Sequence, residues 1–148
     1  MRTLISARRQ PHLFEARTFA GLCAARDWLA AHFDCRASLD EVAAHGGLSP
    51  FHFHRRFTQA FGETPHEFLT RLRIDRAKKL LLAGNDTVTG ICFDVGYESL
   101  GSFSSRFRSL TGLSPTQFRD ESRRLFGGFR RDWPLYYIPA CYQTIFLG

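Results

Sequence analysis

An internal repeat constrains the fold of this chain more than any other feature of its sequence. Apolar residues and glycines of the first half recur in the second half, first 49 residues later and, after one inserted residue, 50 residues later. Leu39, Val42, Gly47, Ser49, Phe53, Phe57, Gly62, Pro65 and Phe68 recur as Val88, Ile91, Gly96, Ser99, Phe103, Phe107, Gly112, Pro115 and Phe118. Such self-similarity indicates two copies of one supersecondary unit.

The first copy carries the signals of two short helices around a tight turn. Ser38, with Glu41 three residues later, has the pattern of a capping box, which begins a helix. The glycine pair at 46–47 ends that helix, because glycine adopts the left-handed conformation at little cost. The Ser-Pro pair at 49–50 suits the start of a second helix. Its predicted buried stripe is Phe53, Phe57 and Ala60. Residues 39–60 are therefore predicted to form a helix-turn-helix motif.

Helical periodicity extends beyond the two motifs. From Phe19 to near Asp34, apolar residues recur every three or four positions and predict a first helix. Its apolar positions are Leu22, Ala25, Leu29 and Phe33. Between the two copies, residues 65–83 predict one long helix that would span about 30 Å, close to the roughly 34 Å repeat of a DNA turn. This helix could act as a rigid spacer.

The two ends of the chain lack this periodicity. Residues 1–18 are polar and basic and are predicted to be a loose arm. The stretch 120–148 contains β-branched and aromatic residues with interrupting prolines, which allows short strands. The prediction is an all-α chain with a DNA-binding domain at 19–119 and a C-terminal extension at 120–148, in which the sequence allows extended structure without specifying it. Within that domain lie the first motif at 38–61, the linker helix at 65–83 and the second motif at 87–111.

Composition excludes several classes of protein. With 44% hydrophobic and 23% charged residues, the chain has the composition of a globular domain. No apolar run approaches the roughly 18 residues of a membrane span, and residues 1–17 lack the apolar core of a signal peptide, so we expect a cytoplasmic protein without membrane contact. The four cysteines are far apart and are predicted to be reduced thiols: Cys23, Cys35, Cys92 and Cys141. A net charge of +6 suits a polyanionic partner.

The second helix of the first motif has a face that would meet DNA. If its phenylalanines at 53 and 57 point inward, Phe51, His54, Arg55 and Thr58 share the opposite face. Arg55 could bond guanine bidentately, His54 could bond a base or a phosphate, and Phe51 could pack against a thymine methyl. Phe51, His54 and Arg55 are the predicted base-facing residues.

The second motif offers a different set of residues to DNA. The predicted base-facing positions are Leu100, Gly101, Ser102 and Ser105, which are small or apolar and provide no long bidentate reader. This motif should therefore discriminate less between bases. Phosphate contacts, which fix the register of a protein on the duplex, are predicted for Ser49, Arg56, Thr58, Ser99, Arg106 and Arg108.

Histidines raise the possibility of a metal site, which the spacing disfavours. His52 and His54 are two residues apart on a helix and point to different faces, with no nearby cysteine or acidic cluster. No metal and no cofactor are predicted.

The residues 38–119 resemble the DNA-binding domain of AraC/XylS-type transcription regulators. The resemblance rests on the first motif SLDEVAAHGGLSPFHFHRRFTQAFGETPHEF, the linker RIDRAKKLLLAGNDTVTGIC, and the second motif VGYESLGSFSSRFRSLTGLSPTQFR. It implies about seven helices in two lobes that bind two major-groove segments of double-stranded DNA as a monomer, often near RNA polymerase. It also places the base-reading sites of the family on the residues named above.

Two departures from the family pattern concern the second motif. Position 105 often carries an arginine in the family, and Ser105 lacks its reach. Gly101 weakens its helix by about 1 kcal/mol relative to alanine. Most members also carry an effector-binding and dimerising domain, for which we expect no room before Phe19. Two alternatives follow: the protein acts without a ligand, or residues 120–148 have a function of their own.

Three hypotheses about the function remain. The first is a sequence-specific transcription regulator without catalytic activity. The second is a partner-dependent or architectural DNA-binding protein whose aromatic tail binds a protein or an effector. The third is a cysteine-based alkyl acceptor, which is disfavoured because Cys35 has no set of activating ligands around it.

Overall fold

The computed structural model describes the backbone of residues 11–126 and the side chains of residues 16–125. This part of the chain contains seven α-helices and no strand. They are α1 (Pro11–Ala31), α2 (Leu39–His45), α3 (Pro50–Phe61), α4 (Pro65–Ala83), α5 (Val88–Asp94), α6 (Leu100–Thr111) and α7 (Pro115–Phe126). The all-α prediction is confirmed, and α2, α3 and α4 lie where the sequence predicts them.

The chain divides into two compact lobes. Among the described residues, the first lobe comprises 11–32 and Ala37–Leu69, and the second comprises Phe33–Arg36 and 70–126. The boundary falls inside α4, whose first five residues belong to the first lobe. Each lobe contains one helix-turn-helix motif with its own core.

The first lobe is built around aromatic residues of α3. Phe53 and Phe57 have no exposed surface, and their ring centroids lie 5.3 Å apart. The ring of Phe68 from α4 meets Phe57 edge-on at 5.7 Å. The other buried apolar residues are Leu22, Ala25, Leu29, Val42 and Ala43. The capping box of Ser38 and Glu41 is present, as predicted.

The second lobe repeats this arrangement on α6. Phe103 and Phe107 are fully buried with centroids 5.7 Å apart, and Phe118 of α7 meets Phe107 edge-on at 5.5 Å. The remaining core residues are Ile74, Ala77, Leu81, Ile91, Cys92 and Val95. Three of these, Ile74, Ala77 and Leu81, lie 52 residues after Leu22, Ala25 and Leu29. The repeat therefore also relates α1 to α4, which sequence reasoning missed because the following loops differ in length.

The first helix corrects the predicted boundaries. It begins at Pro11 rather than Phe19, so residues 11–18 are helical and are not part of a loose arm. Proline is well suited to a first helical position, and the leucine, glutamate, alanine and arginine that follow favour helix without an apolar stripe. The helix ends at Ala31, not near Asp34, and the half-buried Phe33 lies beyond it.

Two further expectations differ from the structure. Ala60 is exposed, and the half-buried Phe61 contacts Phe57 in its place, with centroids 4.6 Å apart. Residues 120–126 continue α7, so the extended structure that the sequence allows from Asp120 does not occur in them. The first glycines after Asp120, which would interrupt a helix, are at 127–128. The rest of the extension, the arm residues 1–10 and Cys141 lie outside the described residues.

Candidate nucleic-acid interface

Residues at both ends of α3 define its length, and its buried phenylalanines define which face is exposed. Ser49 precedes the helix in an extended conformation, and Pro50 occupies the first turn. Contrary to the expectation for a capping serine, the Ser49 hydroxyl makes no capping hydrogen bond. Gly62 ends the helix at φ +75°, in the left-handed region that favours glycine. Because Phe53 and Phe57 are buried, the opposite face of α3 is directed outward.

The predicted base-facing residues of α3 lie on this outward face. Phe51 has 73% of its surface exposed, although it is a large apolar residue, and His54 and Arg55 are also exposed. The exposed Arg56 and Ser49 flank them. An aromatic ring held in water at the start of a helix gains by covering an apolar group of a ligand, such as a thymine methyl.

A shallow concavity of about 570 Å³ adjoins this face of the first lobe. Its lining residues are Leu39, Pro50, Phe51, His54, Arg55, Thr58, Gln59 and Thr64. Sequence reasoning missed Leu39, Gln59 and Thr64 as members of this surface. Leu39 is the first residue of α2 and is 41% exposed, which adds apolar surface next to Phe51.

Thr58 has a constraint that the sequence does not reveal. It is half-buried, and its hydroxyl donates a hydrogen bond to the carbonyl oxygen of His54 at 2.9 Å. A phosphate oxygen only accepts hydrogen bonds, so a phosphate contact requires this hydroxyl to turn away from the helix. The contact predicted for Thr58 stays a prediction with that condition.

The start of α6 uses its serines differently. The Ser99 hydroxyl accepts a hydrogen bond from the Ser102 amide at 3.2 Å and donates one to the Ser102 hydroxyl at 2.9 Å. The proton of Ser99 is therefore used within the cap, and the exposed Ser102 hydroxyl keeps its own proton for a ligand. Leu100 is 41% exposed, and Gly101, Ser105, Arg106 and Arg108 are exposed too.

The starts of α3 and α6 agree with the 50-residue offset of the sequence repeat. Since α3 begins at Pro50 and α6 at Leu100, residues on the two helices correspond at an offset of 50. The counterparts of Phe51, His54, Arg55 and Thr58 are therefore Gly101, Ser104, Ser105 and Arg108. Ser104, which sequence reasoning passed over in favour of Leu100 and Ser102, is half-buried. Apart from its chain neighbours and the adjoining backbone of α6, no described atom lies within 4 Å of where a Cβ of residue 101 would be.

Other candidate chemistry is sparse in the described part of the chain. It contains no group of three or more histidine, cysteine, aspartate or glutamate residues that could hold a metal. Cys23, Cys35 and Cys92 are free thiols, of which only Cys35 is exposed. Burial raises the pKa of the Cys92 thiol, and the neighbouring Asp34 raises that of Cys35, so neither thiolate is favoured. Of the helices described, none is long and apolar enough to cross a membrane.

Comparison with known families and sequences identifies similar proteins. Residues 42–121 match the family model of a helix-turn-helix domain. The chain is 38% identical over 92 residues to the HTH-type transcriptional activator RhaS of Escherichia fergusonii, covering 62% of this chain and 33% of RhaS. It is 34% identical to the transcriptional activator AarP of Providencia stuartii, covering 62% of this chain and 68% of AarP. The present chain spans a third or less of the length of RhaS and of several further relatives.

Solved structures show the same fold. The DNA-binding domain of the transcriptional factor AdpA, in complex with a target DNA, superposes with a TM-score of 0.69 at 25% identity, covering 73% of this chain and 97% of that domain. A transcriptional regulator with an AraC-type DNA-binding domain from Chromobacterium violaceum gives a TM-score of 0.65 at 27% identity, covering 72% of this chain and 96% of that one. Both likenesses extend over most of the described helices.

Proposed function

Because the chain belongs to the AraC-type helix-turn-helix family of DNA-binding transcription regulators, we propose that it binds two adjacent major-groove segments of duplex DNA through α3 and α6. The observation that carries this proposal is the pair of outward faces on two helices of equal length, each opposite a buried phenylalanine pair. A major groove is just wide enough to accept one such helix.

The first lobe supplies most of the base discrimination in this proposal. Arg55 is exposed and carries a planar guanidinium that can donate two hydrogen bonds to guanine. His54 lies beside it and bonds a base acceptor or a phosphate. Phe51 extends from the apolar concavity and packs against the methyl group of a thymine. Each of these groups is exposed in the protein without DNA, where a groove can reach it.

The second lobe supplies mainly affinity and register. Gly101 and Ser105 stand where the first lobe has Phe51 and Arg55, so α6 has no long reader at those two positions. Arg106 and Arg108 are exposed and can pair with phosphates, as can the Ser102 hydroxyl. Contacts of this kind bind any sequence and weaken as salt is raised.

The proposed setting follows from this mode of binding. The partner is double-stranded DNA, which the protein binds as a monomer in the cytoplasm, with RNA polymerase as a candidate second partner. The proposal requires no cofactor and no catalytic step. The relatives named as activators suggest control of transcription initiation, but which genes are regulated depends on the DNA site.

The test is a selection of binding sites from a random duplex library, followed by affinity measurements at two salt concentrations. We expect an enriched sequence that binds more tightly than its scrambled version at both concentrations. Absence of any enriched sequence, with binding that disappears as salt is raised, would contradict the proposal, because phosphate contacts alone produce that behaviour.

A further inference from the structure

The connection between α1 and α2 belongs to the second lobe, although first-lobe residues precede and follow it in the sequence. Residues 33–36 pack in that lobe, and Arg73 of α4 holds them there. Its Nε donates a hydrogen bond to the carbonyl oxygen of Phe33 at 2.6 Å, and its Nη2 donates one to that of Cys35 at 3.0 Å. A single guanidinium thus satisfies two backbone carbonyls that lie beyond the end of a helix.

The same segment contacts the turn that leads into α6. Gly96 has φ +84°, and a Cβ there would lie 2.6 Å from the carbonyl oxygen of Asp34 and 3.0 Å from Nη2 of Arg73. The next residue, Tyr97, has its ring 5.8 Å from the Arg73 guanidinium. The following residue, Glu98, pairs with Arg36. Three consecutive turn residues are therefore in contact with Arg73 or with the segment that it holds.

This turn is coupled to α6 through an aromatic contact. The ring of Tyr97 meets that of Phe103 edge-on at 5.4 Å. Phe103 is fully buried and anchors the inner side of α6, opposite the face that carries Gly101 and Ser105. Displacing the turn would therefore shift the start of α6, where the proposed DNA contacts lie.

The first lobe has no equivalent of this device among its described residues. The offset of 52 between α1 and α4 places Gly21 where the second lobe has Arg73. The counterpart of Gly96 is Gly47, which has no described atom other than those of its chain neighbours within 4 Å of its Cβ position. The Arg73 contacts are thus an addition to the second lobe and not a general requirement of the motif.

Burial of Arg73 makes the loss of its hydrogen bonds energetically unfavourable. Arg73 is half-buried, and this burial lowers the pKa of its guanidinium. Burying a charge is unfavourable unless hydrogen bonds compensate, and removing the donor leaves its acceptors unsatisfied. A side chain of similar length without hydrogen-bond donors would fill the space but release the segment.

We propose that Arg73 is a positioning residue, which holds residues 33–36 against the turn 96–98 and thereby places α6 for contact with DNA. The proposal rests on the proposed function for its consequence in DNA binding. Its structural step, the effect of Arg73 on the start of α6, does not depend on DNA.

The experiment compares full-chain variants Arg73→Met and Arg73→Lys with the control Arg76→Met, an exposed arginine on the same helix. Each is tested against the selected duplex and against a duplex cut back to the block that α3 contacts. The ratio of the two affinities measures what the second lobe contributes. Far-ultraviolet circular dichroism at the same temperature measures helix content.

We expect Arg73→Met to lower this ratio by about tenfold, because two carbonyls lose a charged donor. Affinity for the short duplex should change by less than about twofold, since distant sites act independently. Arg73→Lys should recover part of the ratio, and Arg76→Met should keep it. An unchanged ratio, or equal loss on both duplexes together with lost helix content, would overturn the proposal.

A second measurement separates this proposal from the proposed function. In the DNA-free protein, Arg73→Met should shift the amide resonances of residues 101–105 and leave those of residues 51–55 in place. If no duplex is ever selected, the proposed function fails, and these resonances alone decide the role of Arg73. Unshifted resonances at 101–105 would overturn that role even if DNA binding is specific.

Discussion

The two lobes share a core pattern but support their helix-turn-helix turns in different ways. In the first lobe α1 meets the turn backbone to backbone: a Cβ on Gly21 would lie 2.2 Å from the carbonyl oxygen of Gly46. In the second lobe the position of Gly21 holds Arg73, which reaches residues 33–36 instead. The repeated apolar residues thus account for the matching helices. The difference between Gly21 and Arg73 accounts for the different contacts that support the two turns.

The outward faces of α3 and α6 differ as strongly as the turns. The first presents Phe51, His54 and Arg55, which are exposed and large. The second presents Gly101, Ser104 and Ser105 at the matching positions. Similar cores therefore carry unequal surfaces, which is the basis for expecting unequal roles on DNA.

The largest effect is expected from Gly21→Ala. The added methyl group would overlap the carbonyl oxygen of Gly46. Because the methyl group is attached to the backbone of α1 and the oxygen belongs to the backbone of the turn, neither can move aside freely. Overpacking of this kind should lower the free energy of unfolding by about 2–3 kcal/mol, as measured by denaturant titration. A stability equal to that of the unsubstituted protein would show that α1 does not rest on the turn in this way.

Arg55→Ala should remove the preference for guanine in the block contacted by α3. Loss of a bidentate contact corresponds to about 1–3 kcal/mol of discrimination, which is about 5- to 150-fold in relative affinity. The measurement is binding to the selected duplex and to versions with that guanine replaced. Arg56→Ala is the matched control and should weaken binding to all versions alike, since its predicted contact is a phosphate.

Phe51→Ala tests the apolar contact by a cycle of protein and DNA changes. Replacing thymine by uracil in the selected duplex removes only a methyl group, which should lower the affinity of the unsubstituted protein by about threefold to fivefold. In the Phe51→Ala variant the same replacement should have no further effect. An equal loss in both proteins would show that another group covers the methyl.

Gly101→Ala is expected to raise stability slightly. The position is exposed and helical, with no described atom near the added methyl group, so the higher helix propensity of alanine should contribute about 0.5–1 kcal/mol. Gly112→Ala is the contrasting variant, because Gly112 has φ +82° and alanine is strained there. Thermal unfolding that moves both variants in the same direction would contradict this comparison.

The sequence predicted the helices whose starts and ends carry local signals. The Ser38 capping box, Pro50 and the glycine after α3 are read within a few residues, and α2, α3 and α4 lie where these signals place them. The start of α1 was missed because residues 11–18 favour helix by propensity and show no apolar stripe. Phe61 was overlooked because its contact with Phe19 of α1 is tertiary.

The sequence predicted which face of α3 is exposed, but not the hydrogen bonds that its side chains make. Exposure of Phe51, His54 and Arg55 follows from the burial of Phe53 and Phe57, which lie four residues apart on the opposite face of α3. The hydrogen bonds that engage the Thr58 and Ser99 hydroxyls depend on rotamers. The contact between Arg73 and Phe33 joins residues 40 positions apart, so no local pattern indicates it.

A base-by-base substitution scan of the selected duplex would show whether the two lobes bind DNA unequally. The affinity of the unsubstituted protein would be measured for each single base-pair change. We expect one block with strong dependence on base identity and, about one helical turn away, a second block with weak dependence. Two blocks of equal dependence would contradict this expectation, because α6 lacks long side chains where α3 has Phe51 and Arg55.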